Sequence, residues 1–296
     1  VYEVIDENTA RLVLFSAITP GNIFWGNQVA SLGAAQVYHK IIKENIYSRI
    51  SDHQQVKEKV EALRPEDLNA ELRKSEAEFI SPTDLDWPIP LMDLSSPPIG
   101  LVIKGNRELL GCLDKSISIV GSRRPTEYGL AVSNKLAADS AATKVVVISG
   151  GAYGIDTAAH NGAVGAGGGS VAVLAGGFNH LYPTENKKLF SQITNNGLLI
   201  SEVMPSVKSQ PSRFLIRNRL IAALSKATVV VEAEFVSGSI RTARDAAEIF
   251  RPVFAIPGQI SSPLSAGCHR LIADRVADIA TTLVEILEVI TPLQKR

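Results

Sequence analysis

The sequence predicts an α/β protein: a doubly wound, mostly parallel sheet with a small all-helical segment ahead of it. Two observations lead there. Past about Ile99 the chain repeats an apolar run, a glycine turn and a helical stretch. Several runs, such as Val145–Ile148, are continuous Val and Ile rather than alternating, as strands buried on both faces require. Strands separated by helices of that length form parallel crossovers rather than hairpins.

In chain order, the first 80 residues read as helical. Apolar residues recur at helical spacing in Ala10–Ile18, Val29–Ile42 and Val56–Leu63, and the turn Thr19-Pro20-Gly21-Asn22 separates the first two. Such a bundle could touch a DNA backbone as helix-hairpin-helix modules do, but its acidity favours a packing module. Ser81-Pro82, Trp87-Pro88-Ile89-Pro90 and Ser95-Ser96-Pro97-Pro98 then break helical periodicity. The expected division is therefore a helical domain over 1–80, a linker over 81–98 and the sheet domain over 99–296. Strands are expected at Ser116–Val120, Lys144–Ser149, Ser170–Ala175, Gly197–Ser201, Ala227–Glu232 and Pro252–Ile256. Helices are expected at Tyr128–Ala142, Asp156–Ala166, Thr184–Asn195, Arg213–Ser225, Arg241–Phe250 and Thr281–Ile290.

Composition narrows the function. The chain has 296 residues and zero formal net charge, unevenly placed. Residues 1–90 carry 9 Lys+Arg against 14 Asp+Glu, and residues 91–296 carry 21 against 16. Any polyanion is thus expected on the second segment. Two cysteines, Cys112 and Cys268, lack metal-ligand spacing, which fits a reducing compartment and no metal site. Glu3, Asp6 and Glu7, with no basic residue before Arg11, are unlike a signal peptide, and no apolar run approaches a membrane span. A cytoplasmic protein without membrane association is expected.

The chemistry should lie where strand ends meet helix starts. Five glycine turns follow strands there: Gly121-Ser122-Arg123-Arg124, Gly150-Gly151-Ala152 (after Ser149), Gly176-Gly177, Ser237-Gly238-Ser239 and Pro257-Gly258. Such turns let backbone N–H groups converge on an anion, with a helix start adding partial positive charge. Arg123 and Arg124 add guanidinium forks suited to phosphate. Further cations are Lys187 and Lys188, and Arg217 and Arg219 flanking Asn218; Phe190 and Tyr182 could stack on unpaired bases.

Enzyme signatures are missing. There is no phosphate loop ending in Gly-Lys-Ser/Thr, no Gly-x-Gly-x-x-Gly after the first strand and no nucleophile elbow. Asp156 and His160 share a helix face, but a first-turn aspartate stabilising the helix dipole explains them better than a catalytic pair. Glu185 and Glu202 have no evident partner. No catalytic residue and no cofactor are expected.

Seven ordered blocks resemble the DNA-processing protein A (DprA/Smf) family. They are Ser118–Gly129, Ile148–His160, Val171–Leu189, Leu199–Glu202, Arg213–Ser225, Val229–Ala243 and Val253–Ile272. Residues 1–80 more weakly resemble that family's sterile-alpha-motif-like domain, and Arg-Phe-Leu-x-Arg-Asn-Arg resembles its actinobacterial branch. The resemblance implies an extended Rossmann-like domain that dimerises, binds single-stranded DNA irrespective of sequence, and loads the RecA recombinase during natural transformation. It implies phosphate contacts at Gly121, Ser122, Arg123, Ser149, Gly150, Gly151 and Lys187, a base contact at Phe190, and a pocket completed by Asn218 and Arg219. Ala152-Tyr153 and Arg241 depart from the family pattern. Many members carry a C-terminal winged-helix domain; here the sequence stops at Arg296, and Val1 in place of Met points to processing or trimming.

Two competitors use the same glycine turns. A nucleoside-monophosphate phosphoribohydrolase would need Pro-Gly-Gly-x-Gly-Thr and a catalytic glutamate, which Val236–Thr242 lacks. A carrier of a small phosphorylated cofactor is the other.

Overall fold

The computed structural model describes residues 5–44 and 46–291; the outer limits of the expected domains lie outside these residues. Among the described residues, nine strands form one sheet in the order β1-β2-β6-β5-β4-β3-β7-β8-β9. They are β1 (Glu78–Ile80), β2 (Leu101–Gly105), β3 (Ser116–Val120), β4 (Val146–Ser149), β5 (Ser170–Leu174), β6 (Leu198–Ser201), β7 (Ala227–Val230), β8 (Val253–Ala255) and β9 (Asp278–Ile279). From β6 to β9 every pairing is parallel, while β1 and β2 add an antiparallel edge. Every residue of β3 to β8 is buried, which is why their sequences are apolar, broken only by small hydroxyl residues such as Ser118 and Thr228.

The chain starts the parallel part at β3, builds β4, β5 and β6 outward on one side, then returns to place β7 against the other side of β3. The loops after β3 and β7 therefore diverge, and a crevice opens between them. Helices α6 (Glu127–Ala142) and α7 (Ile155–Gly165) follow β3 and β4; α8 (Lys187–Asn196) lies between β5 and β6. Helix α9 (Pro211–Leu224) enters β7, and α10 (Gly238–Glu248) follows it.

Among the described residues, five helices precede the sheet: α1 (Glu7–Ala17), α2 (Ile23–Leu32), α3 (Ala34–Lys43), α4 (His53–Ala62) and α5 (Pro65–Lys74). The single helix expected over Val29–Ile42 is broken at Gly33, which sits at φ 82°. The Glu7 carboxylate then accepts the N–H groups of Ala34 and Ala35 and caps α3. The helices share one apolar cluster with α8 and with Val102, Leu174 and Leu199 of the sheet. Four elements depart from the sequence reading. Residues 78–80, expected to be helical, form β1, and β2, the helix α11 (Ala266–Ala273) and β9 were not expected at all. A three-residue edge strand is too short to show a period of two. Helix α12 (Leu283–Ile290) matches the last expected helix. Among the described residues, no helix is long and apolar enough to cross a membrane.

Candidate nucleic-acid interface

A groove of about 770 Å³ occupies the crevice where the loops after β3 and β7 part. Three chain segments form most of its wall, with Ala152, Asp156 and Tyr182 adding to it. Val120 to Arg124 leave β3, Ser209 to Asn218 lead into and along α9, and Glu234 to Thr242 open α10. Arg123 and Arg124 are exposed on the rim. The N-termini of α9 and α10 open into the groove, so each contributes partial positive charge there. Asn218 joins them by donating to the Gly238 carbonyl at 3.1 Å. The start of α6 is different: Glu232 accepts from the Thr126 N–H at 2.9 Å and its hydroxyl at 2.6 Å, which neutralises that helix end.

The turn after β4 forms the groove floor indirectly. Asp156, in the first turn of α7, is buried and accepts the N–H groups of Gly150 at 3.1 Å and Ala152 at 3.3 Å. These amides face inward and hold the loop's shape. Beneath them lies the guanidinium of Arg217, donating to the carbonyls of Gly150 and Val173. Burial pushes the Asp156 carboxyl above its ordinary range while the Arg217 charge opposes it. Burial likewise lowers Arg217, to about 10, against the opposing Asp156 charge. Glycine is needed at 150 by close approach, since a Cβ there would stand 2.5 Å from Arg217 Nη1. At Gly154 (φ 78°) a Cβ would collide with the Ser122 carbonyl, so the β3 and β4 loops touch through this residue.

Aromatic rings line one side. Arg123 lies over the Phe214 ring with its guanidinium carbon 5.2 Å from the centroid. Phe214 and Tyr182 meet edge to face at 5.6 Å, and Tyr182 and Tyr153 at 6.3 Å. The Tyr153 hydroxyl donates to Glu185, which raises its pKa to about 12.

Of the expected site residues, the structure gathers Gly121, Ser122, Arg123, Arg124, Arg217 and Asn218 at the groove. Ser149 is buried and donates to the Ile119 carbonyl, and Gly150 and Gly151 lie below the floor. Lys187 and Lys188 are exposed at the start of α8, beside the groove rather than lining it. The preceding Asn186 ties that helix to the β4 turn by donating to the Gly151 carbonyl at 3.1 Å. Several expectations need correction. Phe190 is fully buried against Gly151, so its ring is core and no base can reach it. Arg219 points to the other side of α9, where its Nη2 donates to both oxygens of Glu202 at 2.6 and 2.8 Å. That pair lies against Gly21 in the α1–α2 turn and is a structural tie. Glu185 and Glu202 thus do have partners. Nor do all five glycine turns share the rim. The Gly177 N–H is taken by the Val207 carbonyl at 2.8 Å, and Gly258 accepts from His269 at 3.1 Å. His160 bonds Ser170 in the core at 2.8 Å, with its pKa pushed by burial to about 3; it forms no pair with Asp156.

The sequence reading missed Phe214 although the signal was present. It stands three and four positions before Arg217 and Asn218, hence on the same face of α9.

Comparison with known proteins agrees with this architecture. A family model described as DNA recombination-mediator protein A matches residues 78–291. The putative DNA processing protein DprA of Mycobacterium tuberculosis is 35% identical over 271 residues, covering 88% of this chain and 69% of that protein. The DNA processing protein DprA of Streptococcus pneumoniae is 39% identical over 208 residues, 70% of this chain and 73% of its own length. An X-ray structure of the S. pneumoniae protein superposes with a TM-score of 0.82 at 30% identity, covering 95% of this chain and 97% of that one. A structure of DNA processing protein A from Helicobacter pylori, described by its single-stranded DNA binding mode, superposes at 0.64 with 29% identity, covering 73% and 96%. The chain belongs to the DNA recombination-mediator protein A (DprA/Smf) family, whose members act in DNA processing.

Proposed function

We propose that this protein binds single-stranded DNA through its phosphates in the groove between β3 and β7 and passes the strand to RecA. The observation that carries the reading is the position of Arg123 and Arg124. Two exposed guanidinium groups stand on the rim of a groove into which α9 and α10 both direct their N-termini. Backbone dipoles and planar cations suit phosphate oxygens and read no base identity. Lys187 and Lys188, exposed at the start of α8, extend the cationic rim. Phe190 and Arg219 take no part in contact and instead support the fold.

The relative from H. pylori, described by its single-stranded DNA binding mode, supports the choice of ligand. Membership of a recombination-mediator family supports delivery to RecA, with the protein acting as a cytoplasmic homodimer. The division into a helical domain ahead of β1, a linker over 81–98 and a DNA-holding domain from 99 belongs to the same proposal, since every groove residue falls between Val120 and Thr242. The binding is not coupled to bond breaking. Titration of short labelled single and double strands, with nucleotide turnover assayed in parallel, tests this. The single strand should bind preferentially and nucleotides should remain intact; preference for duplex, or hydrolysis, would contradict the reading.

A further inference from the structure

We infer that Phe214 and Tyr182, continued outward by Tyr153, form a shelf on which unpaired nucleobases stack, and that this shelf rather than the cationic rim selects single strands over duplex. The inference rests on the proposed function and adds to it the part of the site that recognises bases.

Three observations lead to it. First, the groove's cations and helix starts cannot distinguish one strand from two, because duplex DNA carries the same phosphates at higher charge density. Selection needs a partner for something that only an unpaired strand offers, and base faces are such a feature. Second, Phe190 is sealed in the core, so a base-contacting group must come from elsewhere. Third, Tyr182 and Phe214 both line the groove, and Tyr182 is 46% exposed, a large aromatic surface left in water beside an anion site.

The geometry suits a strand held by its backbone. The rings follow one another at centroid steps of 5.6 Å from Phe214 to Tyr182 and 6.3 Å from Tyr182 to Tyr153. Each is nearly perpendicular to the next (75° and 77°), so ring planes alternate in orientation along the shelf. Arg123 sits over Phe214, so one side chain touches both the aromatic row and the phosphate rim. A phosphate at Arg123 places its own base beside the rings. The outer end is fixed by the Tyr153 hydroxyl bonded to Glu185, which holds the last ring in place without lending it charge. Aromatic stacking accepts all four bases, since each presents a π-face. In a duplex those faces are covered by neighbouring pairs.

The test compares a base-bearing strand with a strand of equal length built from abasic spacers, which keeps the phosphates and omits the bases. The proteins compared are the parent, Tyr182→Ala, and a Tyr182→Ala/Phe214→Leu double variant that keeps apolar bulk under Arg123. The double variant should bind the base-bearing strand at least about fivefold more weakly. Tyr182→Ala should match the parent on the abasic strand. The double variant should lose there only what the Arg123–Phe214 contact contributes, and its preference for single strand over duplex should shrink. Equal losses on both strands would show that the rings only support the fold, and undiminished binding of base-bearing DNA would show that bases stack elsewhere; either overturns the inference. A parent protein that binds neither strand would instead sink the proposed function, so the two failures are distinguishable.

Discussion

Replacing Arg219 by methionine removes a cation that is tied to protein rather than offered to DNA. The Arg219 and Glu202 side chains are 13% and 10% exposed, and one guanidinium nitrogen reaches both carboxylate oxygens at 2.6 and 2.8 Å. Removing one partner of such a buried pair strands the other charge, which costs about 3–5 kcal/mol. For a chain of this size that corresponds to a fall in Tm of roughly 6–20 °C. The pH dependence has a definite sign. Burial already raises the Glu202 carboxyl above its ordinary range, and loss of the guanidinium raises it further. A raised folded-state pKa means that the protonated carboxyl fits the folded protein best. The deficit should therefore be smallest at pH 4–5 and grow as pH rises through the raised value. Thermal unfolding followed by circular dichroism at acid and neutral pH measures both effects. The folded variant, assayed in the cold, should keep its single-strand affinity. A variant as stable as the parent but weakened in strand binding would refute the structural role and return Arg219 to the binding site.

Two further outcomes follow from buried contacts. Gly150→Ala places a methyl group 2.5 to 2.7 Å from the Arg217 guanidinium, which is held beneath the loop, and should cost about 1–3 kcal/mol in urea unfolding; an unchanged midpoint would show that Arg217 moves freely. His160, at about 3 in the folded protein against 6.5 when unfolded, is held neutral, so the unfolded chain takes up its proton first. Its contribution is complete above pH 6.5 and should fall by about 1.4 kcal/mol per pH unit below it, a slope that His160→Gln should remove; an acid limb identical in both proteins would contradict this.

Most of the sheet could be read from residues alone because it is doubly buried. Val145–Ile148 and Val229–Val231 leave no polar face and so admit little but interior strands. β1 and β2 could not be read that way: β1 has three residues, and β2, at the antiparallel end, loses its apolar run at Lys104 and Gly105. The site was legible at Gly121 to Arg124, where the turn chemistry is local. It was misread where side-chain direction decides. Arg217 and Arg219 are two positions apart on α9 and must point to opposite sides of it, one under the groove and one to Glu202. Phe190 belongs with Leu189 and Ile193 to the apolar stripe of α8, a core signature that its neighbour Lys187 obscured. The inward amides of Gly150 and Ala152 were beyond any sequence reading, because the acceptor Asp156 lies across a turn whose shape only the fold defines.

The salt dependence of single-strand binding tests the groove most directly. Anisotropy of a labelled oligonucleotide between low and physiological salt should give a linear log–log plot, with a slope of about −1.4 or steeper if Arg123 and Arg124 both neutralise phosphates. Arg123→Ala should weaken binding and lessen that slope by about 0.7 while leaving the melting temperature in place. A flat salt response, or an Arg123→Ala protein with the parent's slope and affinity, would contradict a phosphate-binding groove at this edge of the sheet.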